Sequence, residues 1–172
     1  MPIVPDQKDW TWVLSRPCPE CGFDASSSTP ATTPGQLANL LPRWRAVLRR
    51  PDAVIRPDED AWSALEYACH VRDVFSLFDH RLNLMLSEDG ARFADWDQDR
   101  TAIEQDYAGA DPAEVSAALA AEGEQAAESF GRVPEQDWGR TGVRSNGSQF
   151  TVLTLAQYFL HDVVHHLHDV DG

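Results

Sequence analysis

Across residues 59–86 apolar side chains recur at helical spacing, with Trp62, Leu65, Cys69, Leu77 and Leu84 on one face. A helix approaching thirty residues must bury that stripe against other elements, and no convincing strand series accompanies it. Three further helical patterns do. One begins at Thr33-Pro34, an N-cap followed by proline at the first helical position, and carries Leu37, Leu40, Leu41, Trp44, Val47 and Leu48. Pro42 falls inside it and predicts a kink or a late start. The others cover about residues 112–130, alanine-rich and acidic, and about 152–169. Four such helices predict an all-α, four-helix bundle over residues 34–172. Residues 1–33 form an irregular arm containing Cys18-Pro-Glu-Cys-Gly22, and Trp10 and Trp12 predict that the arm packs on the body. Residues 87–109 are expected to be a long acidic loop, and residues 139–148 a Gly/Ser/Asn loop.

Charge narrows the partners. Fourteen basic against twenty-eight acidic residues give a net charge of −14. Affinity for nucleic acid rests on neutralising phosphates with Lys and Arg, so nucleic acid is not expected, nor is an anionic membrane surface. MPIVPDQKDW has no apolar leader core, and no run is long enough to span a bilayer, which predicts a soluble cytoplasmic protein. Three cysteines are too few for a disulfide scaffold. Six tryptophans, with Phe75 and Phe78 spilling past the face of the second helix, hint at a homodimer.

Polar residues interrupt the apolar stripe of the second helix at Glu66, His70 and Asp73, and buried polar groups need a partner. Four of the six histidines lie at positions 161, 165, 166 and 168. Residues four apart share a helix face, so His161 and His165 project together and could reach one ion, while His166 points about 100° aside. His70 is the available third ligand. Three imidazoles would leave positions open for water or substrate, as in catalytic sites, without choosing among zinc, nickel, iron or copper. Asp169, four residues after His165, and Asp73, three after His70, are placed to orient the ligands as hydrogen-bond acceptors. The bland alternatives are a hydrogen-bonded core histidine at 70 and, for the last helix, histidines favoured by the C-terminal dipole. Cys18 and Cys21 resemble one knuckle of a zinc ribbon. They read first as a packed, reduced pair, next as a second metal site completed by histidine or another subunit, and last as a redox pair.

The segments Trp62-Ser-Ala-Leu-Glu-Tyr-Ala-Cys-His-Val-Arg-Asp73 and His161-Asp-Val-Val-His-His166 resemble the second- and fourth-helix signatures of the DinB/YfiT-like superfamily. The Phe93–Asp99 loop is similar to that of actinobacterial members, which include mycothiol-dependent maleylpyruvate isomerases and mycothiol S-transferases. The resemblance covers residues 33–169. It implies an up-down-down-up bundle with one divalent metal, zinc or nickel, on His70, His161 and His165. Some members have Glu in place of the residue matched by His161. It also implies a low-molecular-weight thiol as co-substrate, so that a metal-bound thiolate would attack a small electrophile, either in S-transfer or in cis-trans isomerisation. The acidic loop counts against a dicarboxylate substrate and so against the isomerase. A non-enzymatic metal-binding module on the same fold is the alternative.

Overall fold

The computed structural model describes residues 9–172; most of the MPIVPDQKDW segment, residues 1–8, lies outside the described residues. Five α-helices and three short strands follow in the order α1 (Thr33–Leu48), α2 (Ala64–Ser87), β1 (Ala91–Phe93), α3 (Gln98–Glu104), α4 (Pro112–Gly131), β2 (Thr141–Arg144), β3 (Gln149–Thr151) and α5 (Val152–Asp169). Helices α1, α2, α4 and α5 make the four-helix bundle, in up-down-down-up order. α4 packs chiefly on α2 and α1, and α5 on the same two helices. At the centre Phe159 stacks on Phe78 at 4.9 Å and meets Phe75 edge-on at 5.3 Å. Trp44, Leu82 and Phe130 are equally buried, and each such side chain contributes about 1.5–3 kcal/mol over leaving it exposed. Phe75 and Phe78 therefore belong to the core of the monomer and offer no surface to a second copy.

Helix α1 begins at Thr33, one residue before the predicted start, with Thr32 in place of Thr33 as its N-cap, and continues through Pro42 without a late start. Helix α2 begins at Ala64, five residues later than its apolar pattern suggests. Ser63 accepts a hydrogen bond from the Glu66 N–H (3.2 Å), and the Glu66 carboxylate accepts from the Ser63 N–H (2.8 Å). This capping box stops the helix from extending toward Asp58 or Asp60. Glu66 also accepts from Arg56 Nε (2.9 Å), which explains one polar residue of the stripe.

The connection between α2 and α4 is not a plain loop. β1 pairs in parallel with β2, and β2 pairs antiparallel with β3, so Ala91, Gly142 and Phe150 stand in register across a small sheet. Arg81, buried on α2, donates to the Ala94 carbonyl (3.0 Å) and holds the chain beyond β1. The arm docks on α5: Gln157 Nε2 donates to the Ala25 and Ser28 carbonyls at 2.9 and 3.0 Å, and Val13, Cys18, Phe23 and Ala25 are buried. No helix among the described residues is long and apolar enough to cross a membrane.

Candidate metal centre

A second capping box, Thr151 with Thr154, starts α5 and sets its register against the bundle. Each residue then turns the helix by 100°, so positions 161 and 165 share one face and positions 162 and 166 the next. The two faces meet different partners. His70, Asp162 and His166 offer donor atoms that all lie within 4.8 Å of one another, and so, separately, do Cys18, Cys21, His161 and His165. The expected trio of His70, His161 and His165 is thus divided between two clusters. The physical reason is the rotation of α5 about its axis, which turns the 162/166 face toward α2 and the 161/165 face toward the arm.

In the first cluster His70 Nε2 lies 3.4 Å and His166 Nε2 3.6 Å from Asp162 Oδ1. His70 is buried, stacked beneath Trp96 at 5.3 Å and flanked by Trp62 at 5.6 Å. Nδ1 of His70 has no hydrogen-bond partner among the described residues, and Nε2 and Asp162 Oδ1 meet each other only in the long contact just given. Burial lowers the pKa of His70, which keeps the ring neutral, the form that binds metals. Burial opposes the charge of Asp162, yet the neighbouring His70 and His166 hold its pKa at about 2. His166 Nδ1 meets Asp169 Oδ2 at 2.9 Å, leaving Nε2 toward the cluster. Asp162 and His166 face a cavity of about 800 Å³ whose walls include Trp62, Tyr67, Trp96 and Tyr158. Asp95, Asp97 and Asp99 make its polar side acidic, and Arg144 is its one arginine.

In the second cluster Cys18 Sγ lies 3.7 Å from His165 Nδ1. The opposite nitrogen of that ring, Nε2, faces Glu20 Oε2 at 3.5 Å and Asp169 Oδ1 at 3.8 Å. Trp10 covers both imidazoles, with ring centroids 5.5 Å from His161 and 4.9 Å from His165. Burial, together with the charge of His165, pulls the pKa of His161 down to about 4, and burial lowers that of His165. Burial pushes the Cys21 thiol up to about 11. Such a thiol is almost wholly protonated at neutral pH in the free protein.

A family model of the DinB superfamily matches residues 45–170. The chain belongs to the DinB superfamily. Among solved structures, YfiT from Bacillus subtilis, described as a probable metal-dependent hydrolase with an unusual four-helix bundle topology, is similar with a TM-score of 0.69. The two share 16% identity over 81% of this chain and 82% of that one, a likeness of fold. No curated protein matches the chain in sequence.

Of the two flanking acceptors expected within this DinB bundle, Asp73 is engaged elsewhere and Asp169 stands between two histidines. Asp73 accepts from the Tyr107 hydroxyl and from Arg72 Nε (2.7 Å), so its carboxylate is engaged away from His70. Asp169 stands beside His165 but makes its hydrogen bond with His166. Asp162 and His166 complete the His70 cluster, a grouping the sequence analysis did not propose. Their signal was present, since Asp162 and His166 are themselves four apart. Cys69 is a small buried core residue, as its position predicts.

Proposed function

We propose that the chain is a divalent-metal-dependent enzyme that holds its ion, zinc or nickel, on His70, Asp162 and His166. It joins a low-molecular-weight thiol, mycothiol by resemblance, to a small uncharged electrophile. The observation that carries this reading is a three-donor cluster of which Asp162 and His166 line a cavity, with buried donor atoms that meet only in long contacts. Buried polar groups satisfied only by such long contacts cost up to about 1–3 kcal/mol, and a cation among them removes that cost. Two neutral imidazoles and one carboxylate leave a divalent ion with one uncompensated positive charge and open positions, so a thiol bound there would be held as thiolate at neutral pH.

The chain's own residues do the rest. Asp169 accepts a hydrogen bond from the Nδ1–H of His166 and so presents Nε2 to the centre. Trp96 and Trp62 shut water away from the buried side of His70. Asp95, Asp97 and Asp99 repel anions from the cavity, which favours uncharged electrophiles over dicarboxylates.

The test is thiol consumption by metal-loaded protein with an epoxide or a chlorinated aromatic. Turnover is expected, with a loss of at least about 100-fold for Asp162→Ala. Metal-loaded protein that stays inert across thiols and electrophiles would sink the enzyme and leave a metal-binding module. A second reading has a specific observation behind it: two histidines and one carboxylate also activate water in zinc hydrolases. Ester or amide cleavage without thiol uptake would select it.

A further inference from the structure

We propose that Cys18, Cys21, His161 and His165 form a second metal site, a closed tetrahedral one for zinc, which clamps the N-terminal arm to α5. It is independent of the His70 centre and goes beyond it.

Four observations converge on it. First, the donor set is two thiols and two imidazoles with all donor atoms within 4.8 Å of one another, the composition of structural zinc sites. Second, the spacing fits. An ion about 2.3 Å from sulfur and about 2.05 Å from nitrogen, at a tetrahedral angle, holds those donors about 3.6 Å apart. Cys18 Sγ and His165 Nδ1 are 3.7 Å apart.

Third, the ring of His165 is oriented for the task. Nδ1 faces the sulfur while Nε2 faces the carboxylates of Glu20 and Asp169, the arrangement that fixes the proton away from a metal. Glu20 comes from the cysteine turn itself. That turn is closed by the Gly22 N–H donating to the Cys18 carbonyl (2.9 Å) and the Cys18 N–H donating to the Phe23 carbonyl (2.8 Å). Gly22 sits at φ +74°, a conformation that costs glycine little and other residues more. Fourth, His161 is 4% exposed, and its Nε2 has no hydrogen-bond partner among the described residues.

Charge separates the two centres. Zinc binding here releases two thiol protons to solvent, and two thiolates with two neutral imidazoles neutralise the ion completely. Trp10 and the edge of Phe23 then cover a centre of no net charge with no position left for substrate. The site is therefore a clamp that fixes the Trp10 side of the cavity.

The experiment measures bound zinc in the full chain and absorption after cobalt(II) substitution, beside His70→Ala and Cys18→Ser/Cys21→Ser. Wild-type protein is expected to hold two equivalents and show a sulfur-to-cobalt charge-transfer band. His70→Ala should keep the band with one equivalent, and the double cysteine variant should lose the band and keep the other. Should the cysteine variant fail to fold, sulfur scattering at the zinc edge of the wild-type protein decides. Absence of both the band and sulfur scattering, or two equivalents retained without the cysteines, would overturn the clamp. A single sulfur-bound ion, unaffected by His70→Ala, would uphold the clamp and remove the centre proposed for catalysis.

Discussion

Glu66 shows how one residue can serve a helix start and a loop at once. It closes the capping box with Ser63 and receives Arg56 from the preceding turn. Burial works against its charge, but the hydrogen bonds from Arg56 and Ser63 outweigh burial and hold its pKa below the ordinary value. With the folded pKa depressed, the unfolded chain binds the proton first. The stabilisation is therefore full above the unfolded value, about 4.3, and is lost as pH falls through the folded one. Glu66→Gln should lower stability at pH 7 by about 2 kcal/mol and flatten the acid limb of a denaturation series. An unchanged midpoint at both pH 7 and pH 4 would show that the pair contributes nothing.

At the level of elements, the small sheet is what turns the connection after α2 into a wall of the cavity. β1 and β2 lie on α2 so closely that a Cβ on Gly142 would fall 2.7 Å from Phe93 Cε1 and 2.8 Å from Met85 Sδ. Both neighbours are buried and cannot swing into solvent. Gly142→Ala should thus cost about 1–3 kcal/mol through overpacking, read from urea unfolding. If the variant proves as stable as wild type, the sheet is free to ride up off α2. The sheet escaped sequence reading for a simple reason: strands of three or four residues are too short to establish an alternating pattern. The bundle helices were legible because α4 and α5 each run for five turns or more of consistent spacing. The start of α2 was misplaced because Ser63 and Glu66 outcompeted Asp58 and Asp60 as the cap.

For the whole molecule, the two donor clusters tie α2, α5 and the arm together. Ions that bind only the folded state stabilise it by about 4 kcal/mol when free metal exceeds Kd a thousandfold. Chelation of metal-loaded protein should therefore lower Tm by on the order of 10 °C, and added zinc should restore it. Calorimetry showing the same Tm before and after verified metal removal would mean that neither cluster contributes to stability.

The residues able to bind metal are all visible in the sequence, and so is the bundle that carries them, because helical periodicity and capping are local properties. How those residues are grouped is not local. In His161-Asp-Val-Val-His-His166 two interleaved pairs, 161/165 and 162/166, are equally well spaced for one ion. The choice between them depends on how α5 is rotated about its axis, and packing on α1 and α2 sets that rotation. Likewise Cys18 lies 147 positions before His165 and meets it only because the arm folds back along α5. Sequence alone determined the chemistry on offer; only tertiary packing decided which donors share a site, since that depends on distances between elements far apart in the chain.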